Sequence, residues 1–134
     1  FHDFAHRYQT NKNNVFALAA IETAYTDGAG WLDELLVYLQ GNIRLIRDFL
    51  QESDIKVSMI EPEGTFLVWL DFRELGLDAK ALEKFLAREA SIALSPGYWF
   101  GREGAGFARM TIGCPRSTIK RSLDNLAAAV NDQS

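Results

Sequence analysis

The sequence predicts a small α/β (α+β) sandwich in which three or four mostly antiparallel strands carry helices on one face. Residues 62–72, PEGTFLVWLDF, and 107–115, FARMTIGCP, both alternate with the two-residue period of a strand. Residues 31–52 instead repeat apolar side chains at the spacing of one helical stripe. With 134 residues, 48% of them hydrophobic, we expect a single domain with its own core.

The first part of the chain has the pattern of three helices. Residues 1–9 have the apolar spacing of a short amphipathic helix. Asn13 or Asn14 is expected to cap a second helix at residues 15–26. That second helix is apolar on most sides, which is typical of a helix buried against another domain or subunit. In the long helix at 31–52, Gly41 marks either a bend or a close approach by another residue.

The rest of the chain is expected to build the sheet and cover it. A strand at residues 55–60 should pair antiparallel with the PEGTFLVWLDF strand, which is apolar on both faces and belongs in the middle of the sheet. A helix capped by Asp78 and a last helix capped by Ser117 should add their apolar stripes to the core. Between them we expect a short strand at 92–94 and an irregular loop at 95–106.

Arg109 is the strongest candidate for a functional residue. Alternation in its strand places Ala108, Met110 and Ile112 on one face and Arg109 on the other. A guanidinium group is always charged, so it needs a carboxylate, a phosphate or a water-filled cleft in front of it. Two interpretations remain open from the residues alone: an ion pair with a nearby acidic residue, or a bidentate clamp for the carboxylate of a substrate.

The loop before this strand, SPGYWFGREGAG, contains further candidates. Its glycines are Gly97, Gly101, Gly104 and Gly106. A flexible gate explains them better than a phosphate-binding loop, because a phosphate loop leads from a strand into a helix and this one leads into a strand. Tyr98, Trp99 and Phe100 are three consecutive aromatic residues, which either fill the core or line the mouth of a pocket.

The other reactive side chains do not form a convincing site. His2 and His6 have a spacing compatible with a metal, but no third ligand is apparent and a solvated helix face explains them better, so we predict no metal site. Glu61 and Glu63 flank a proline turn and are expected to face solvent. Cys114 has no adjacent base in the sequence, which favours an inert, half-buried thiol over a nucleophile.

The charge balance indicates the class of partner. The net charge of −4, from 14 basic and 18 acidic residues without a basic run, argues against a nucleic-acid surface and against an anionic-membrane surface. A small molecule or another protein chain is the expected partner. The single cysteine fits a reducing compartment, and we expect neither a secretory signal nor an apolar run long enough to span a bilayer. We therefore expect a cytoplasmic protein.

Several stretches taken together resemble the C-terminal part of class I/II aminotransferase-like enzymes, which are pyridoxal-phosphate enzymes of fold type I. They are the two strand segments, NNVFALAAIETAYTDG at residues 13–28, and PGYWFGREGAGFARMTIGCPRS at residues 96–117. Within that family the chain is most similar to the cystathionine beta-lyase group of the MalY/PatB type. The resemblance implies a C-terminal small domain, of the aminotransferase small-domain type, with residues 1–12 at the end of the large domain.

The resemblance also implies roles for individual residues. In the family, the arginine at the position of Arg109 binds the α-carboxylate of the amino-acid substrate, which agrees with the clamp inferred from the residues. The residues implied near the pocket mouth are Tyr98, Trp99 and Phe100, and those implied near a subunit interface close to the site are Asn13, Asn14 and Phe16.

The activity implied by the resemblance belongs to a longer protein. It is that of a homodimeric carbon–sulfur β-lyase, dependent on pyridoxal 5'-phosphate, acting on a sulfur-containing amino acid such as cystathionine or cysteine. A class I/II aminotransferase is the alternative, and a non-catalytic ligand-binding or dimerisation module is the alternative outside the enzymes. The Schiff-base lysine lies upstream in the family and this chain begins at Phe1 without methionine, so we expect a fragment that is inactive alone.

Overall fold

The computed structural model describes residues 2–7 and 14–132, and the chain divides into two compact units, Phe1–Val37 and Tyr38–Ser134. The first unit contains the helices α1 (His2–Arg7) and α2 (Val15–Asp27) and the beginning of α3 (Ala29–Glu52). The second unit contains the remainder of α3, the sheet and two further helices. We describe each unit by itself.

Helix α2 has a capped start and stays exposed along its whole length. The Asn14 side chain accepts a hydrogen bond from the backbone N–H of Ala17 at 2.7 Å, which confirms Asn14 as the N-cap, whereas Asn13 lies outside the described residues. None of the residues of α2 is buried, and Phe16 and Tyr25 are 85% and 90% exposed. The expected burial against another domain or subunit stays a prediction, because an apolar helix is buried only where a second surface covers it.

The second unit is organised around an antiparallel sheet, which within the described part of the chain has four strands in the order β1-β2-β4-β3. The strands are β1 (Ser58–Ile60), β2 (Leu67–Asp71), β3 (Ser95–Pro96) and β4 (Phe107–Thr111). The central position of β2 and its antiparallel pairing with β1 are confirmed. Strand β3 begins at Ser95, just after the predicted segment 92–94. It pairs with β4, with Ser95 opposite Arg109.

One face of this sheet and the helices packed on it form the core. On β2 and β4, Val68, Leu70, Ala108 and Met110 are each no more than 6% exposed. The helices α3, α4 (Ala79–Lys84) and α5 (Arg116–Asn131), with the π-helical turn Phe85–Glu89, contribute the buried residues Leu39, Ile46, Leu82, Phe85, Leu86, Ile119, Leu123, Leu126, Ala129 and Val130. Each of the larger of these side chains, Val, Leu, Ile, Phe and Met, stabilises the fold by roughly 1.5–3 kcal/mol through burial. The predicted fold class is confirmed.

The two later helices begin in different ways. The Asp78 carboxylate accepts hydrogen bonds from the backbone N–H groups of Lys80 and Ala81 at 2.9 and 2.8 Å, so Asp78 is the N-cap of α4 as predicted. Helix α5 instead begins directly after Pro115, and the expectation that Ser117 caps it is wrong. Pro115 occupies the N-cap position, with φ −57° and ψ 139°, and makes no side-chain capping hydrogen bond. None of the helices in the described ranges has the length and apolar character needed to cross a membrane.

Asn42 is a polar side chain inside the core, with no exposed surface. Its Nδ2 donates to the carbonyl oxygen of Ile112 at 2.9 Å and to that of Cys114 at 3.4 Å, and its Oδ1 accepts from Nε of Arg116 at 2.9 Å. A Cβ at Gly41 would overlap the guanidinium of Arg116. Of the two alternatives for Gly41, a bend or a close approach, the structure shows a close approach, by the Arg116 side chain. The hydrogen bonds of Asn42 connect α3 to the turn that follows β4.

We expect Asn42→Leu to lower the free energy of unfolding by roughly 1–3 kcal/mol, because the buried carbonyl oxygen of Ile112 and the partly buried Nε of Arg116 each lose their partner. Urea denaturation followed by circular dichroism would measure the change. Gln40→Leu, an exposed neighbour on the same helix, is the matched control and should change stability by less than about 0.5 kcal/mol. Equal losses in the two variants would contradict this role for Asn42.

Candidate functional site

Arg109 lies on the sheet face opposite the core. Along β2 and β4 the side chains alternate between buried and partly exposed, which confirms the predicted alternation around Arg109. The strand register places Arg109 between Trp69 on β2 and Ser95 on β3, and Trp69 beside Ile60 on β1. A row of four side chains therefore crosses this face from one edge of the sheet to the other.

Arg109 borders two openings, one in this face and one at the sheet edge beside α5. A groove of about 320 Å³ is lined by Arg109 with Trp69, Leu67 and Thr65 among its neighbours, and a cleft of about 160 Å³ lies on the side of β3. The residue is half-buried, and its Nε is buried without a hydrogen-bond partner among the described residues. A buried donor of a charged group that lacks an acceptor is rare in folded proteins and indicates a place for a ligand or solvent.

Two carboxylates on this side of the sheet, Asp71 and Glu61, are paired with other arginines. Both carboxylate oxygens of Asp71 accept hydrogen bonds from Arg73, at distances of 2.7 to 3.1 Å. These hydrogen bonds hold the pKa of Asp71 below its usual value. Glu61 lines the groove but is paired with Arg47. In the described ranges Arg109 makes no ion pair with a carboxylate, so the first of its two interpretations has no support in the structure.

The segment before β4 is ordered, and the expectation of an irregular loop is wrong. It forms two 3₁₀ turns, Gly97–Phe100 and Arg102–Gly104. The backbones of Gly97 and Gly104 touch, so that a Cβ on either glycine would overlap the carbonyl oxygen of the other. Gly101 and Gly106 have φ angles of 133° and 83°, which side-chain-bearing residues rarely adopt. The glycines therefore allow a tight crossing of the two turns.

Phe100 is the member of the aromatic run that lies beside Arg109. The guanidinium carbon of Arg109 sits over the Phe100 ring, 4.4 Å from its centroid. The Phe100 ring in turn meets Trp69 edge-on, with centroids 5.4 Å apart and planes at 85°. The three side chains form a contiguous cluster on the open face of the sheet.

Tyr98 and Trp99 point elsewhere. The Tyr98 hydroxyl donates to the Glu83 carboxylate at 2.8 Å and accepts from Nζ of Lys80 at 2.7 Å, which ties the turn to α4. Hydrogen bonding to Tyr98 is the main cause that raises the pKa of Lys80 and lowers that of Glu83. Trp99 is 63% exposed and contacts the Tyr98 ring edge-on.

The remaining candidates stand apart from this cluster. The side chains of His2 and His6 lie outside the described part of the chain, and the described residues contain no group of three or more metal-binding side chains. Cys114 is half-buried, with its Sγ 3.8 Å from the carbonyl oxygen of Thr111. Asn14 caps α2, and Phe16 is exposed on it. Asn13, proposed from the resemblance, is not among the described residues.

Trp69 is the residue of the cluster that sequence reasoning did not single out. It was expected as one of several apolar residues of a central strand. Its position on the outward-facing alternation of β2 was readable from the sequence. Its place opposite Arg109 depends on the register between two strands that are about 40 residues apart, which the sequence pattern does not specify.

Comparison with known proteins extends the resemblance inferred from the sequence. The family Aminotransferase class I and II matches residues 10–126. The chain is 40% identical over 117 residues to Protein MalY of Escherichia coli K12, covering 87% of this chain and 30% of that protein. It is 37% identical over 118 residues to cystathionine beta-lyase PatB of Bacillus subtilis 168, covering 88% and 30%.

A solved structure agrees with these sequence relatives. The fold superposes on cystalysin from Treponema denticola, a structure that contains a pyridoxal 5'-phosphate cofactor, with a TM-score of 0.86 and 35% identity. That match covers 90% of this chain and 31% of cystalysin. The chain thus spans about 30% of the length of its curated relatives. On this evidence, and on the small-domain fold described above, the chain belongs to the class I and II aminotransferase family.

Proposed function

We propose that this chain is the C-terminal domain of a pyridoxal-phosphate-dependent carbon–sulfur β-lyase, and that Arg109 binds the α-carboxylate of its amino-acid substrate. The observation that carries the proposal is the guanidinium of Arg109, which faces a groove on the open side of the sheet without a carboxylate partner among the described residues. The names of the relatives support the reaction class, since PatB is a cystathionine beta-lyase.

The chemistry of the guanidinium suits this ligand. Its planar fork of N–H donors matches the two oxygens of a carboxylate, and such bidentate, charge-assisted bonds are both strong and directional. The neighbouring acids Asp71 and Glu61 are held by Arg73 and Arg47, so they do not compete for Arg109. An amino-acid carboxylate entering the groove would supply the missing acceptor.

The described lysines do not fit covalent attachment of the cofactor. Lys56, Lys80, Lys84 and Lys120 are all exposed, and the pKa of Lys80 is raised by its hydrogen bond to Tyr98, whereas an imine-forming amine needs a lowered pKa. In our proposal the cofactor is held by other parts of the longer protein. When bound, pyridoxal phosphate supplies an electron sink for carbanionic chemistry. The part assigned to this chain is to bind and orient the substrate through its carboxylate.

The exposed side of α2 is accounted for by the same proposal. Val15, Phe16 and Tyr25 are between 75% and 90% exposed, and large apolar side chains exposed to this extent on one helix indicate contact with another protein surface. We assign α2, with Asn14 at its start, to packing against the remainder of the longer protein or a second subunit of a homodimer. Asn13 and Phe16 would then lie near the interface.

The reaction class is tested with the full-length protein, purified with pyridoxal phosphate. A β-lyase releases thiol and pyruvate together from cystathionine or an S-substituted cysteine, without an added 2-oxo acid. The family match also supports a second candidate, an aminotransferase. An aminotransferase requires a 2-oxo acid to accept the amino group, and it releases no thiol. Activity of neither kind, with no visible absorbance from the cofactor, would leave a non-catalytic module.

A further inference from the structure

We propose that Phe100 is a positioning residue for Arg109: its ring face holds the guanidinium in the groove and thereby sets the affinity for a carboxylate-bearing substrate. This inference rests on the proposed role of Arg109. It adds a residue from a different segment of the chain, the 3₁₀ turn Gly97–Phe100, to the carboxylate site.

The contact has the geometry of a cation above an aromatic ring. The Arg109 guanidinium carbon is 4.4 Å from the Phe100 centroid, within the range of about 6 Å in which the negative ring face attracts a cation. On the sheet, Trp69 is the cross-strand neighbour of Arg109 and also makes a T-shaped ring contact with Phe100. Trp69 therefore helps to fix the position of the Phe100 ring, and the same ring contacts the guanidinium of Arg109.

A ring face attracts the charge of a guanidinium without accepting its N–H groups in conventional hydrogen bonds. A protein carboxylate in the same place would occupy those donors and compete with the substrate. The buried Nε of Arg109, which has no acceptor in the described part of the chain, is consistent with donors left available. Arginine side chains also lose considerable rotamer freedom when they bind, so holding the guanidinium in advance favours binding.

The turn that presents Phe100 is itself held in place. Gly97 lies in backbone contact with Gly104, and the Tyr98 hydroxyl is bonded to Glu83 and Lys80 on α4. A side chain that positions another must be supported by its own packing and hydrogen bonds. The two anchors of the turn meet this requirement for Phe100.

The test compares Phe100→Leu with Phe100→Tyr in the full-length protein. Leucine keeps an apolar side chain of related size but removes the ring, whereas tyrosine keeps the ring. We expect Phe100→Leu to raise KM for an amino-acid substrate by about 3- to 30-fold, with kcat changed less than about 2-fold, and Phe100→Tyr to restore KM. Phe107→Leu is the matched control, because Phe107 makes the same kind of contact with Arg73, at 4.7 Å, on the same sheet.

A second measurement reads the contact itself, independently of activity. Protons above an aromatic ring face are shielded, so the guanidinium N–H resonances of Arg109 in this chain should lie upfield of those of Arg121, which is exposed on α5. In Phe100→Leu they should move downfield, and in Phe107→Leu they should stay where they are. Resonances that do not respond to Phe100→Leu would show that the contact is absent and overturn the inference.

The outcomes separate this inference from the function on which it rests. If Arg109→Lys weakens amino-acid binding while Phe100→Leu leaves KM unchanged, the positioning role is wrong and the carboxylate site stands. If Phe107→Leu raises KM as much as Phe100→Leu, the effect is a general one of the sheet face and the inference is wrong. If neither Arg109→Lys nor Phe100→Leu has an effect, the carboxylate site itself is wrong and the positioning role falls with it.

Discussion

Replacing Arg109 with alanine in the full-length protein should weaken amino-acid substrates by about 30- to 4000-fold in KM, which corresponds to the roughly 2–5 kcal/mol lost when one partner of a buried charge pair is removed. The loss should be specific to the carboxylate. A decarboxylated analogue of the substrate, which has the amine but no acid group, should bind the variant and the unchanged protein alike.

Arg109→Lys separates charge from geometry. Lysine keeps the positive charge but offers a compact ammonium instead of the planar fork, so it should recover part of the lost affinity and not all of it. Steady-state kinetics and titration with a substrate analogue would measure both variants. Arg121→Lys and Arg121→Ala, at an exposed position on α5, are the matched controls and should leave KM unchanged.

The cofactor should stay bound in the Arg109 variants. We expect this because the proposed role of Arg109 concerns the substrate, and the visible absorbance of the protein would show it. Unchanged kinetics in Arg109→Ala would remove the carboxylate assignment. Loss of the cofactor absorbance together with activity would instead show that the residue supports the cofactor site.

Gly97→Ala should lower the unfolding free energy by roughly 3 kcal/mol, a large loss for the addition of a single methyl group. A Cβ at this position would overlap the carbonyl oxygen of Gly104 and lie 2.6 Å from that of Phe107. Both obstacles are backbone atoms, which cannot rotate away as a side chain would. The turn can accept the methyl group only if its crossing with Arg102–Gly104 opens.

Denaturation by urea would measure this loss, with Gly64→Ala as the matched control. A Cβ at Gly64 meets no heavy atom within 4 Å, so alanine there should leave the unfolding free energy unchanged or raise it slightly, by about 0.4–1 kcal/mol. Because the turn ending in Phe100 should shift, Gly97→Ala in the full-length protein should also raise KM. Equal stability of the two variants would show that the crossing of the turns adapts easily.

The part of the fold that depends on local patterns was predictable. The caps Asn14 and Asp78, the long amphipathic helix α3 and the alternation of β4 around Arg109 all follow from residues close together in the chain. The cap of α5 was not predictable in the same way. Its first backbone N–H, on Arg116, donates to the hydroxyl of Tyr38 at 3.1 Å, a residue on α3 far away in sequence.

The candidate site was likewise predictable only in the part that depends on local sequence. The sequence alone identified Arg109 as a charged residue on the open face of a buried strand, and it left two interpretations of that charge. The structure shows Asp71 and Glu61 paired with other arginines, so the ion-pair interpretation has no support among the described residues, and the carboxylate clamp stays a prediction. The structure also shows that Phe100, and not Tyr98 or Trp99, contacts the guanidinium of Arg109. The sequence could not distinguish these three residues, because they are adjacent in one aromatic run.

The sequence by itself determined the fold class, the order of the elements and the face on which Arg109 lies, since these depend on the period of apolar residues along each segment. Only the tertiary structure decided what surrounds that guanidinium. Trp69, Phe100 and the two glycines that let the turns cross come from segments separated in the chain, and their contacts depend on strand register and backbone crossing. Such contacts are set when the whole chain packs, because no local period encodes which distant residues will meet.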